Sequence, residues 1–266
     1  MQSYYKLHPQ VYDDQFWWKK DDLMFWEDEL AQRLDNSILE LGAGTGRIAK
    51  VLKDNCNYLG LELSSIYVKH ANKNLQCNNS LVLDGDMRSF SLNKKFDFIF
   101  IGFNSLLHLL TEEDIVDCFK SIYKHMHPKS RFYIDIFSPF VHQFKSTNKS
   151  QKIVEFIDSQ KKCNSIIWEK VKYNDADDIV SVTWKYHTGS KVYRTFKFQM
   201  KILYPDTLTS LLIDAGFKID NIWGTYNKEN FSEKSDKQIY KCSIQKNNFI
   251  FDSIESLVVF YNYEFI

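Results

Sequence analysis

Ser37-Ile38-Leu39-Glu40-Leu41-Gly42-Ala43-Gly44-Thr45-Gly46-Arg47 is the stretch on which the fold turns. A short apolar run gives way to glycines at alternate positions, and Ile48, Ala49, Val51 and Leu52 follow at helical spacing. A glycine turn between a strand and a helix lets the backbone approach a ligand without a Cβ in the way. The first N–H groups of the helix, with its positive dipole end, face the same spot. Such loops hold dinucleotides and other adenosine ligands. The dinucleotide fingerprint G-x-G-x-x-G fails, because Arg47 stands where its last glycine would be, counted from Gly42. No G-x-x-x-x-G-K occurs, so a nucleotide-triphosphate loop is excluded.

Working outward, Tyr58–Leu63 reads as a second strand, and Ser64 or Ser65 is expected to cap the helix that runs to about Leu75. Ser80–Asp86 reads as a third strand, and Phe96–Phe103 as a fourth, apolar enough to be buried on both faces. Thr111 with Asp114 resembles a capping box, and Ile115, Val116, Phe119, Ile122 and Tyr123 give one helical stripe that ends before Pro128. Arg131–Phe137 reads as a fifth strand. Strands alternating with helices predict right-handed βαβ units and an α/β, doubly wound parallel sheet. From residue 151 to 204 the period changes to two. Val180, Val182, Trp184 and Tyr186 form one apolar face, and Phe196, Phe198, Met200 and Ile202 another, the pattern of an antiparallel meander inserted in the same domain. Pro205 opens a helix that Gly216 ends, and Phe217–Tyr226 and Gln238–Ile244 read as further strands.

The strand ends carry the chemistry. Glu62 ends the second strand, where a carboxylate can accept both hydroxyls of a ribose. Asp86 and Met87 end the third, where an acid can accept from an adenine amino group while Met packs on the ring. These features, with Glu40-x-Gly42-x-Gly44-x-Gly46, Leu83–Arg88, Phe96–Phe100 and Phe103-Asn104-Ser105-Leu106-Leu107-His108, resemble the small-molecule branch of the class I S-adenosylmethionine-dependent methyltransferases. Glycine N-methyltransferase and the amino-sugar N-methyltransferases are similar. The resemblance covers roughly residues 4 to 245. It implies S-adenosyl-L-methionine as cofactor and a seven-stranded, mostly parallel, Rossmann-like sheet with Gln238–Ile244 as the antiparallel strand.

The resemblance also implies a layout: an N-terminal lid over 1–36, a cofactor-binding core over 37–140, an antiparallel substrate-side insertion over 141–204, and a last helix and strands over 205–247; the extension over 248–266 goes beyond the resemblance. Cofactor contacts are expected from Tyr5, Tyr12, Glu40, Gly42, Ala43, Gly44, Gly46, Arg47, Glu62, Leu63, Asp86, Met87, Phe103 and Asn104, and substrate contacts from Tyr4, Trp18 and Arg194. Lys129-Ser130 departs from the usual glycine-rich turn before the fifth strand without removing a chemical group.

Methyl transfer from a sulfonium needs alignment and exclusion of water; a hydroxyl nucleophile also needs a base, whereas an amine needs only to be neutral. His108, just beyond the fourth strand, is the base candidate, because an unperturbed imidazole suits neutral pH. That points to O-methylation of a polar or anionic acceptor. Methyltransferases of surface-polysaccharide modification, including O-methyl phosphoramidate formation, are similar in segment order. N-methylation of an amino sugar or amino acid is the alternative, and a non-catalytic cofactor-binding regulator the alternative of another class. Arg194 lies on an apolar strand face and needs either a substrate anion or an internal acid. His125 and His127 are expected to meet terminal helix carbonyls, and no metal is expected.

Composition narrows the partners. Lys+Arg and Asp+Glu are both 34, and a net charge of zero argues against a general nucleic-acid binder. The fourth strand ends in Gly102-Phe103-Asn104-Ser105, not in the N/D-P-P-Y/F loop that receives a flipped base. The longest apolar stretches are too short or too acidic for a membrane span. The 5 cysteines are scattered without a CxxC, and the start lacks a signal-peptide pattern, so a cytoplasmic small-molecule enzyme is expected. The apolar tail reads as a surface-packed strand or helix, with a homodimer contact as the alternative.

Overall fold

Between the end of β1 (Ser37–Leu41) and the end of β4 (Phe96–Ile101) the chain reverses the direction in which it lays down strands. This computed structural model describes residues 7–30, 36–52, 56–76, 80–140 and 149–245. From β1 the chain adds β2 (Asn57–Glu62) and β3 (Ser80–Asp84) on one side, then returns to add β4 and β5 (Met126–Phe137) on the other. All of these pairs are parallel. Next come β6 (Gln151–Asp158), β7 (Cys163–Asn174), β8 (Ile179–Thr188) and β9 (Lys191–Lys201), an antiparallel meander that forms a separate 4-stranded sheet. Finally β10 (Phe217–Trp223) and β11 (Lys237–Ile244) complete the first sheet in the order β10-β11-β5-β4-β1-β2-β3. β11 runs against both of its neighbours.

Helices cover both faces of the 7-stranded sheet. On one face Leu39, Leu41, Ile99 and Ile101 pack with α5 (Glu112–Lys124) and α6 (Pro205–Asp214). On the other, Ile38, Tyr58 and Phe100 pack with α2 (Leu23–Leu30), α3 (Ala49–Leu52) and α4 (Ser65–Leu75). Alternate strand residues feed opposite layers, which is why β1 and β4 are apolar throughout. Each fully buried Leu, Ile or Phe here contributes roughly 1.5–3 kcal/mol of transfer free energy. A third cluster joins α1 (Pro9–Gln15) to the inward face of the meander through Leu7, Val11, Tyr186 and Phe198.

Local signals behave unevenly. Pro205 opens α6, and Gly216, at φ +90°, follows its end with Tyr123 packed too close for a comfortable Cβ. Thr111 caps α5 by accepting from Asp114 N at 3.1 Å, but the Asp114 carboxylate turns away to Arg88, so the reciprocal half of the box is not made. Ser64 precedes α4 without a side-chain cap; its N–H instead donates to Glu62. β5 begins five residues earlier than Arg131, because Pro128 sits where the pairing with β4 shifts register and no ladder N–H is demanded of it. His125 does meet a helix carbonyl, Ser121 O at 2.6 Å, whereas His127 lies in the strand and pairs with Asp97 at 3.1 Å.

Candidate active site

The three loop glycines all have positive φ but answer to different neighbours. A Cβ on Gly42 would lie 2.8 Å from Ser105, and one on Gly46 would lie 3.3 Å from Ala71 of α4. Beside Gly44 no protein atom lies within 4 Å. Two glycines therefore close the loop onto the protein, and the middle one leaves its open side to a ligand. Gly44 N donates to Glu62 Oε2 at 2.9 Å and Ser64 N to Glu62 Oε1 at 2.8 Å. Burial raises the Glu62 pKa, and the N–H groups of Ser64 and Gly44 pull it back. An open glycine cradle next to a buried, backbone-held carboxylate fits the sugar end of an adenosine ligand.

A cavity of about 370 Å³ extends from this loop across the switch point. Beyond β3 it is lined by Asp86, Met87 and Arg88. Arg88 clamps Asp86 through Nε at 3.0 Å and Nη2 at 2.6 Å, and reaches Asp114 at the start of α5 through Nη1 at 3.0 Å. The Arg88 hydrogen bonds hold the Asp86 carboxyl below the usual range. Beyond β4, Phe103 and Asn104 are both left-handed, at φ 49° and 65°. Asp135 accepts from both of their N–H groups, and Asn104 Oδ1 accepts from Phe137 N at 2.7 Å, so the reversal is fixed by β5.

His108 ends the short 3-10 turn that follows, and lines the cavity with its ring 6.1 Å from that of Phe198. Burial pushes its pKa down to about 4, against a smaller upward pull from a backbone hydrogen bond at Gln199. The imidazole is therefore neutral near pH 7 but a much weaker base than its unperturbed pKa suggests.

The meander roofs the cavity with Glu169, Trp184, Phe198 and Met200. α1 joins roof to loop. Asp13 accepts from Thr45 Oγ1 at 2.5 Å and pairs with His70 of α4 at 3.0 Å. Asp14 accepts from Ser159 N at 2.8 Å, and Gln15 accepts from the Tyr186 hydroxyl at 2.6 Å. Phe16, just past the helix, meets Phe103 edge-on at 5.1 Å.

Of the residues expected at the cofactor, Tyr12, Gly42, Gly44, Glu62 and Leu63 line the cavity, as do Asp86, Met87, Phe103 and Asn104. The others lie elsewhere. Glu40 is buried beneath the loop and accepts from the Tyr58 hydroxyl; burial raises its pKa to about 8. Ala43 is 5% exposed, and Gly46 faces α4. Arg47 points behind Phe103 to make a two-pronged bond with Asp22, both arms 2.7 Å, and this pairing outweighs burial in setting its charge.

The expected substrate contacts fare differently. Trp18 is 48% exposed and outside the cavity lining. Arg194 also lies outside it, toward the far end of β9, flanked by the rings of Tyr186, Tyr193 and Phe196 at 5.7–6.0 Å. Tyr4, Tyr5 and the extension over 248–266 lie outside the described residues.

Sequence reasoning missed Phe16, Tyr67, Arg88, Asp114, Glu169 and Trp184 as lining residues. One signal was available: Ser165, Ile167, Glu169, Val171 and Tyr173 share a strand face, and an acid among apolar neighbours stands out as Arg194 does. Among the described residues no cluster of His, Cys, Asp and Glu could hold a metal, and no helix is long and apolar enough to cross a membrane.

Comparisons with known proteins agree with this geometry. Residues 38–129 match the family described as "Methyltransferase domain". YqeM of Bacillus subtilis (strain 168), provisionally named a methyltransferase, is 23% identical over 219 residues, covering 79% of this chain and 84% of its own. The dTDP-3-amino-3,4,6-trideoxy-alpha-D-glucopyranose N,N-dimethyltransferase of Streptomyces venezuelae is 33% identical over 94 residues, 35% of this chain and 39% of its own. The CcbJ methyltransferase structure from Streptomyces caelestis superposes with a TM-score of 0.75 at 20% identity, over 89% of this chain and 99% of that one. With a methyltransferase domain matched over residues 38–129 and this strand order around it, the chain has the fold of the class I S-adenosylmethionine-dependent methyltransferases.

Proposed function

We propose that this methyltransferase alkylates an amine nitrogen of a small polar molecule, such as an amino sugar. The observation that carries the reading is the charge of the cavity wall. Four carboxylates line it, from Glu62, Asp86, Asp114 and Glu169, against the single guanidinium of Arg88, which is already paired with Asp86 and Asp114. Such a wall favours a cationic or hydrogen-bond-donating ligand and disfavours an anionic one.

In this reading Glu62 accepts the ribose hydroxyls, the Gly44 cradle admits the backbone-proximal part of the ligand, and Asp86 and Met87 meet the adenine. Tyr12 and Phe103 face the sulfonium with electron-rich rings. S-adenosylmethionine, when bound, supplies a methyl on a positive sulfur that leaves with the C–S electron pair as the acceptor's lone pair forms the new bond.

His108 supports nitrogen over oxygen. An imidazole of pKa about 4 is a poor base for a hydroxyl, while a neutral amine attacks without one. The relative named as an amino-sugar N,N-dimethyltransferase points the same way. The O-transfer reading, including phosphoramidate acceptors, would need both a stronger base and a free cation at the cavity wall.

The test is product analysis with matched acceptors, an amino-sugar nucleotide and its hydroxyl counterpart, each incubated with S-adenosylmethionine. Methylation confined to the amine, with a rate that rises with pH as the amine loses its proton, is expected. Turnover of the hydroxyl acceptor alone would overturn the reading.

A further inference from the structure

We propose that Glu169 and Trp184 form the acceptor subsite, with the Glu169 carboxylate receiving the N–H groups of the acceptor amine. This rests on the amine reading above. Among the four acids of the wall, Glu62 is held by the N–H groups of Gly44 and Ser64, and Asp86 and Asp114 are bound to Arg88. Those three lie at strand ends or a helix start of the large sheet. Glu169 comes from the opposite side, on β7, across the cavity from the glycine loop.

Its surroundings orient it without cancelling its charge. Glu169 and Trp184 are direct cross-strand partners, so their side chains share the inward face. Trp184 Nε1 donates to Glu169 Oε2 at 2.8 Å and Gln151 Nε2 to Oε1 at 3.3 Å, and both donors are uncharged. Trp184 in turn is fixed edge-on against Phe198 at 4.9 Å and approaches Phe16 at 6.3 Å. Through Phe16 the aromatic wall continues to Phe103, next to the glycine loop. A carboxylate held beside a Trp face, at the end of an aromatic wall, suits a nitrogen that becomes cationic.

The electrostatics match the reaction. Before transfer the positive charge is on sulfur; afterwards it is on nitrogen, which later releases a proton to water. Accepting an N–H of the neutral amine leaves the nitrogen lone pair free to point at the methyl. The same carboxylate is then already in place as charge develops on nitrogen. Glu169 thereby favours an acceptor nitrogen that keeps its positive charge once the methyl is on it.

The test needs no knowledge of the acceptor. Sinefungin carries an amine-bearing carbon where S-adenosylmethionine carries its methylated sulfur, so its ammonium reports the potential facing the acceptor. S-adenosylhomocysteine is the uncharged reference. Calorimetry should show sinefungin binding more tightly than S-adenosylhomocysteine to the unmodified protein. Glu169→Gln, which can still accept from Trp184, should reduce sinefungin affinity about ten-fold and leave S-adenosylhomocysteine affinity unchanged. Glu169→Asp should retain most of the sinefungin preference. A sinefungin-to-S-adenosylhomocysteine ratio that is the same in Glu169→Gln as in the unmodified protein would overturn the assignment. An N-methylated product with an unchanged ratio removes only Glu169's role; an O-methylated product removes the amine reading and this subsite with it.

Discussion

The floor and the roof of the cavity are built by different means. The floor, built on the 7-stranded sheet, is shaped by backbone, through the open side of Gly44, the N–H groups that hold Glu62, and the left-handed pair Phe103–Asn104, and sets the side chains of Glu62, Asp86 and Met87 upon it. The roof, built on the antiparallel meander, presents side chains only, Glu169, Trp184, Phe198 and Met200, projecting at every second residue. A backbone site tolerates little change, because altering it alters the fold. A side-chain site on an alternating strand can be rewritten one residue at a time.

The difference can be broken hardest at the floor. Glu62→Ala removes the carboxylate to which Gly44 and Ser64 donate, and should weaken S-adenosylmethionine binding by about 2–5 kcal/mol in calorimetry. Unchanged affinity would separate the glycine loop from cofactor binding altogether.

Beneath the floor, Glu40 has a folded-state pKa of about 8 against an ordinary value of 4.5. The folded protein keeps a proton that the unfolded chain releases, so its contribution is fully present below pH 4.5 and is lost as pH rises to 8. Glu40→Gln keeps an acceptor for the Tyr58 hydroxyl and removes that loss. Chemical denaturation at pH 8 should show it more stable by roughly 4 kcal/mol, with the two proteins converging near pH 4.

His108 lies where floor and roof meet. Its folded-state pKa of about 4 lies below the ordinary 6.5, so the unfolded chain takes the proton first as pH falls. The native protein therefore loses stability between pH 6.5 and 4. His108→Phe should flatten that loss by up to about 3 kcal/mol in a pH series of melts. Its kcat should stay within about ten-fold of the unmodified enzyme; a fall of about 10²–10⁴ would make His108 the base and return the reaction to oxygen.

The smallest effect is expected in the roof, away from the cavity. Arg194 has a buried Nη1 with no hydrogen-bond partner among the described residues, and aromatic rings around it. Arg194→Leu should change stability by no more than about 1 kcal/mol and leave cofactor affinity intact. A large fall in Tm would show that an ion pair had been broken.

The floor was the more legible region for the reason that makes it rigid. Gly42, Gly44, Gly46, Glu62 and Asp86 form a linear motif whose spacing reflects backbone constraints, and strand order follows from handedness and alternation. The roof shows in sequence as a period of two, which says which face is apolar but not which end of each strand reaches the cavity. Arg194 and Glu169 both interrupt an inward face, and only the position of each along β7 and β9, set by their register against β8, decides that Glu169 lines the cavity and Arg194 does not. Arg47 and Glu40 belong to the loop motif, yet the helix and strand that carry them turn their side chains under it. Likewise, proximity in sequence placed His108 correctly beyond β4 but could not report how strongly burial would depress its basicity.

α1 has only 7 residues, yet it is bonded to the glycine loop and α4 through Asp13 and to the meander through Asp14 and Gln15. One short helix therefore ties the loop to the meander. Were a ligand on one side to shift α1, the other side would feel it, and by thermodynamic reciprocity the coupling between the two binding equilibria would be the same in both directions. A few hydrogen bonds on one helix thus form a physical path between the two halves of the cavity.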